Sequence, residues 1–141
     1  MDNKMLLHYD IDGKDFSIAG EASSSVKRVL KQLGVSPEIT RKVAIAMYEA
    51  EINSVIHANG GYVDVEVTPE KIKVVFVDNG PGIENIPLAM QEGYSTATQE
   101  IRDLGFGAGM GLPNMKNYTD ILNISSIVGV GTTVEMVVFI Q

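Results

Sequence analysis

The sequence predicts an α+β two-layer α/β sandwich, with a mixed, mostly antiparallel sheet and its helices on one face. Two observations predict it. Strand-like segments come in neighbouring pairs separated by tight turns, as hairpins do, and the helix-like segments are grouped between those pairs. A βαβ array would instead alternate single strands with single helices.

At the start, MLLHYDIDGKDFSIAG reads as two short strands around the turn Asp12-Gly13. A helix follows over 21–33, with Val26, Val29, Leu30 and Leu33 on one face, and Gly34 stops it. Ser36 and Pro37 form an N-cap and first-turn pair for a longer helix reaching 57 or 58, which Asn59-Gly60-Gly61 ends. Along it, Ile45, Tyr48, Ile52, Val55 and Ile56 make one apolar stripe. Strands are predicted over 62–67 and 71–77, joined by a tight turn at Pro69. The second, KIKVVFV, ends fully apolar and so belongs inside the sheet. DNGPGI breaks it. Residues 84–110 follow no clear period and read as a long loop holding one turn of helix. A helix over 112–118 and strands over 121–127 and 132–140 complete a single expected domain, 1–141.

The bulk composition narrows the function classes. A length of 141 residues suits one domain with its own core, and 45% apolar with 21% charged residues is ordinary for a globular protein. There is no cysteine, which excludes a disulfide framework or thiolate metal site and fits a reducing cytoplasm. The N-terminal stretch lacks an apolar segment of signal-peptide length, and no apolar run approaches the roughly 18 residues of a membrane span. A net charge of −7 argues against a general nucleic-acid or anionic-membrane surface. It leaves a nucleotide ligand open, because a metal ion and backbone amides can neutralise phosphate.

The segment GFGAGMGLPNMK, residues 105–116, is where such a ligand is first suggested. A glycine-rich turn feeding a helix lets backbone amides reach an anion, and Pro113 suits the first helical turn. It is not a P-loop, since Leu112 and Pro113 follow the last glycine, and it is not GxGxxG. An unliganded surface loop fits the glycines equally well. In the long helix, Glu49 sits at the edge of the apolar stripe, Asn53 and His57 follow at i+4 spacing, and Glu51 falls on the opposite flank. An Asn oxygen suits Mg²⁺, and a Glu one turn earlier can take a proton from a hydroxyl attacking a terminal phosphate. Boundary residues sharing a local hydrogen bond are the alternative. In VDNGPGI, residues 77–83, Asp78 would project at the strand end, where Gly80 and Gly82 let the backbone pass a flat ligand. A carboxylate there accepts from the amino group of adenine and repels the oxygen of guanine; an ordinary Asp-Asn-Gly turn also fits. Gly131-Thr132-Thr133 opens the last strand, where a hydroxyl could reach the base through water.

In order, the E-x-x-x-N helix with its following His-Ala, D-x-G-x-G after a strand, the glycine-rich loop before a helix, and G-T resemble the GHKL ATP-binding (Bergerat) fold. That fold occurs in gyrase, the histidine kinases, MutL and a heat-shock chaperone, and the resemblance spans nearly the whole chain. EGYST, the loop at 105–116 and the short length look like the bacterial anti-sigma factors and switch serine kinases. The resemblance implies that Glu49 is the general base and Asn53 the magnesium ligand, with His57 also at the nucleotide. It puts Asp78 on the adenine amino group, Gly80, Gly82 and Ile83 beside the base, and Thr132 or Thr133 in water-mediated support. Gly105, Gly107, Ala108, Gly109, Met110, Gly111 and Leu112 become the phosphate-facing turn, and 93–109 a lid. Arg102, Lys116, Ser95 and Thr96 either touch phosphate or serve as solvated or turn-capping residues. The histidine-kinase branch fits poorly: His8 lies in a predicted strand, and no helical hairpin carries a phosphoacceptor histidine. The function so implied is an ATP-dependent serine/threonine kinase and anti-sigma-type switch, using ATP and Mg²⁺ in the cytoplasm. Its implied partners are a STAS-type antagonist or a sigma factor, and neither nucleic acid nor membrane; the sequence leaves open a homodimer through the sheet, as in some relatives. An ATP-gated binding module and a slow ATPase are the alternatives.

Overall fold

The computed structural model describes residues 4–12, 19–57, 60–80, 82, 86, 90 and 111–140, at 56, 57 and 111 by backbone only. Its elements are β1 (Met5–Asp12), α1 (Glu21–Gln32), α2 (Pro37–His57), β2 (Gly60–Val67), β3 (Lys71–Asp78), α3 (Gly111–Asn117), β4 (Ile121–Ile127) and β5 (Gly131–Phe139). The sheet order is β1-β2-β3-β5-β4, and each of these four pairings is antiparallel. β3 is the middle strand, as its apolar end predicts. β1 pairs with β2; the strand expected after Asp12-Gly13 falls largely at 13–18, outside the described residues.

Side chains alternate between the two faces of each strand, and among the described residues the helices cover one face. Val63, Val65, Ile72, Val74, Phe76, Val134, Met136 and Val138 are buried on the covered face. Tyr62 and Asp64 on the other face are exposed, and Lys73 and Glu135 there are half-buried and paired at 3.6 Å.

The predicted helix ends are where local chemistry requires them. The Gly34 N–H donates to the Lys31 carbonyl and the Val35 N–H to that of Leu30, both at 3.1 Å, a paired closure typical of a helix ending in glycine. The Ile39 N–H donates to Ser36 Oγ at 3.3 Å, opening α2. Of the predicted apolar stripe of α2, Ile52 and Val55 are buried as expected, but most of the buried face lies elsewhere on the helix. Val43, Ala46, Met47, Ala50 and Ser54 are buried, whereas Tyr48 is 41% exposed and Ile45 is half-buried. Size explains the difference: small Ala46, Ala50 and Ser54 let the helix lie close to the layer below, while side-chain hydropathy alone favours the larger Ile and Tyr positions.

One buried group on α2 is charged. Glu51 is 3% exposed, and its carboxylate closes the N-terminus of α1, 31 residues earlier. Oε2 accepts from the Gly20 and Ala22 N–H groups at 2.9 and 3.2 Å, and Oε1 accepts from Ser23 N–H at 3.0 Å. Gly20, the N-cap residue, has no side chain for that task, and negative charge is favourable there. Glu51→Ala strips three buried N–H groups of their acceptor. It is expected to cost about 3 kcal/mol, read as a lower urea midpoint at unchanged m-value, with a smaller loss for Glu51→Gln.

On the uncovered face, the His8 ring lies between Asp64 and Asp10 and beside Tyr62. Hydrogen bonding to Asp64, then to Asp10, holds its pKa above the ordinary 6.5. The folded value is the higher one, so this pairing stabilises the fold fully below 6.5 and is lost as pH rises through the raised value. An NMR titration of His8 is expected to show a midpoint above 6.5 that falls back toward it in Asp64→Asn.

Candidate functional site

The end of α2 and the end of β3 meet. Two residues separate α2 from β2, and the Gly61 backbone lies so close to Val77 and Asp78 that an added Cβ would overlap the Val77 carbonyl oxygen. Asn53, one turn before the end of α2, is thereby brought to the same end of the sheet as Asp78. From the other side β5 makes a matching approach. Gly131, at φ 152°, leaves no room for a Cβ against the Asp78 carbonyl.

Asp78 is held in a fixed pose. Oδ1 accepts the Gly80 N–H at 2.9 Å and the Thr132 N–H at 3.2 Å. No hydrogen bond to Oδ2 occurs among the described residues, so the carboxylate is anchored through Oδ1. Register places Thr132 opposite Asp78 and Ser126 opposite Thr132, all on the face that packs against the helices. Thr132 is 8% exposed, with Oγ1 2.8 Å from Ser126 Oγ. Thr133, the sequence alternative, aligns with Val77 and Ser125 on the other face, because successive strand residues alternate. Gly82, at φ 82°, abuts the β4–β5 turn, where an added Cβ would lie 2.7 Å from the Ile127 carbonyl oxygen.

Glu49 and Asn53 are half-buried on the flank of α2 opposite Glu51. α1 packs on the Glu51 flank and α3 on the Glu49 flank, where Asn114 Nδ2 donates to Glu49 Oε1 at 3.4 Å. His57 is the last residue of α2, and its side chain lies outside the description. So do Ile83, Gly105, Gly107, Ala108, Gly109, Met110, Ser95, Thr96, Arg102 and the expected lid. Gly111 opens α3, while Leu112 is buried in the core beside Met115, so any contact it makes with a ligand would be through its backbone. Lys116 is exposed. A cavity of about 770 Å³ opens on the Glu51 flank between Tyr9, Arg28 and Tyr48, and none of the predicted site residues lines it.

Three contributors escaped the sequence reading. Ser126 was accessible by counting back across the β4–β5 turn from Thr132, since both belong to one hairpin. Asn114 stands in the glycine-loop segment, yet only the packing of α3 on α2 shows that it meets Glu49. The role of Glu51 depends on a contact 31 residues away.

Comparison with known proteins identifies the fold. A model of the histidine kinase-like ATPase domain matches residues 17–138. The chain belongs to the histidine kinase-like ATPase domain family. Within it, the chain is 27% identical to the serine/threonine-protein kinase RsbT of Bacillus subtilis over 119 residues, 82% of this chain and 84% of that one. It is 32% identical to the anti-sigma F factor of Caldanaerobacter subterraneus over 124 residues, 84% of this chain and 83% of that one. A crystal structure of the RsbU and RsbW domains of a Mycobacterium tuberculosis protein shares the fold. Its TM-score is 0.64 at 15% identity, over 95% of this chain and 32% of that longer one. ATP use follows from the family. Among the described residues no helix is long and apolar enough to cross a membrane.

The two threonines separate experimentally. Thr132→Val is expected to weaken ATP binding about tenfold, while Thr133→Val leaves the calorimetric affinity within about twofold, because its side chain is on the far face.

Proposed function

We propose that this chain is an ATP-dependent serine/threonine-protein kinase that works as an anti-sigma-type regulatory switch. One observation carries the reading. Glu49 and Asn53, one helical turn apart, share the α2 flank that faces α3, at the end of the molecule where Asp78 is anchored. Likeness to a serine/threonine kinase and to anti-sigma F factors supports the same class.

In this reading Asp78 Oδ2 accepts from the amino group of adenine, and the glycine-rich segment 105–111, assigned from sequence alone, holds the phosphates. The hydroxyl oxygen of a partner serine or threonine attacks the γ-phosphorus. A new O–P bond forms, the bond from the γ-phosphorus to the β–γ bridging oxygen breaks, and ADP leaves. The hydroxyl proton passes to Glu49. The Asn114 amide fixes Oε1, which leaves Oε2 for that proton. The donor set on α2, an amide oxygen one turn from a carboxylate, fits Mg²⁺, a hard ion that takes its remaining ligands from water and phosphate. Asn53 would hold it, and when bound it neutralises charge on the phosphate oxygens. We assign the partner as a STAS-type antagonist carrying the phosphorylated hydroxyl, or a sigma factor held inactive, in the cytoplasm. The uncovered sheet face is the surface available for a homodimer.

The test is label transfer from γ-labelled ATP to protein that co-purifies with the chain in Mg-ATP. Glu49→Ala is expected to lower transfer by about 10²- to 10⁴-fold with ATP affinity retained. Asn53→Ala is expected to abolish the magnesium dependence of ATP binding. Stable ATP-dependent complexes without transfer in the wild type would instead mark a binding module.

A further inference from the structure

We propose that Ser126 is a positioning residue that orients the Thr132 hydroxyl and thereby sharpens selection for 6-aminopurine nucleotides. The inference rests on the assignment of Asp78 and Thr132 to the adenine ring.

Three adjacent strands contribute one residue each to a single row. Asp78 on β3, Thr132 on β5 and Ser126 on β4 lie directly opposite one another, on the helix-covered face. The next two rows inward on these strands are apolar: Phe76, Val134 and Ile124, then Val74, Met136 and Leu122. A polar row closing an apolar face needs internal partners, and this one has them. The Thr132 N–H donates to Asp78 Oδ1 at 3.2 Å. The Ser126 hydroxyl donates to the Gly131 carbonyl at 3.3 Å and lies 2.8 Å from the Thr132 hydroxyl.

A serine hydroxyl has one proton. With that proton on the Gly131 carbonyl, Ser126 accepts from Thr132, and the Thr132 proton is turned toward β4. What Thr132 then shows a ligand, directly or through a water, is a lone pair. Asp78 Oδ2 presents lone pairs as well. Two acceptors together suit the amino group of adenine and a water it orients, and they oppose the carbonyl oxygen at the same position of guanine. Without Ser126, the Thr132 hydroxyl is free to rotate and donate, and guanine meets one repulsive group fewer.

The experiment compares ATP and GTP affinities by calorimetry in Mg²⁺ for the full chain, with thermal melts to establish folding. The ATP-over-GTP preference is expected to fall about tenfold in Ser126→Ala. Ser126→Thr, which keeps the hydroxyl, is expected to restore it, and Ser126→Cys, a weak acceptor, to behave as the alanine variant does should that variant fail to fold. In a Thr132→Val background, Ser126→Ala is expected to add nothing, because its effect passes through Thr132. An unchanged preference in a folded Ser126→Ala or Ser126→Cys protein, or additive effects of the two substitutions, overturns the proposal. Asp78→Asn separates this failure from that of the parent assignment: if ATP affinity survives in that variant, the adenine reading itself falls, and the role of Ser126 with it.

Discussion

The Glu51 carboxylate fixes how the long helix is turned about its axis, and the candidate site inherits that rotation. By binding three N–H groups at the start of α1, it locks one flank of α2 against its neighbour. Residues two positions away lie about 200° around a helix. Glu49 and Asn53 stand two before and two after Glu51, so both are forced to the other flank, where α3 packs. A helix free to roll would not hold an amide and a carboxylate on one fixed flank. Burial of the charge also makes the arrangement exacting, since a carboxylate this enclosed is tolerated only where donors surround it.

Much of this was legible in the sequence because it rests on local rules. The Ser36-Pro37 start of α2, the Gly34 stop of α1, the central place of KIKVVFV and the opposite flanks of Glu49 and Glu51 all follow from spacing and capping. The ordered motifs carried the family as well. Three features were not legible. The buried side of α2 was only partly placed, through Ile52 and Val55, because close approach favours Ala46, Ala50 and Ser54 over the larger Ile45 and Tyr48. The pairing of β1 with β2 joins segments some fifty residues apart. The choice between Thr132 and Thr133 hangs on strand phase, which a one-residue slip would invert.

In the proposed reading, recognition and chemistry are divided between the layers. The sheet end supplies Asp78 with its backbone donors and cross-strand hydroxyls; α2 supplies Glu49 and Asn53, with Asn114 of α3 on the base.

Backbone from both neighbouring strands presses on the end of β3, with a glycine on either side, and this bears on how the domain can evolve. At 61 and 131 a methyl group would displace the very strand that carries Asp78. Gradual change through intermediate side-chain sizes is therefore closed at those two places. On the proposed reading, a lineage that came to prefer another base would have to alter the carboxylate itself or the hydroxyls beside it. The position of that strand end is thus written into main-chain contact, and in such a fold it should outlast drift in the side chains around it.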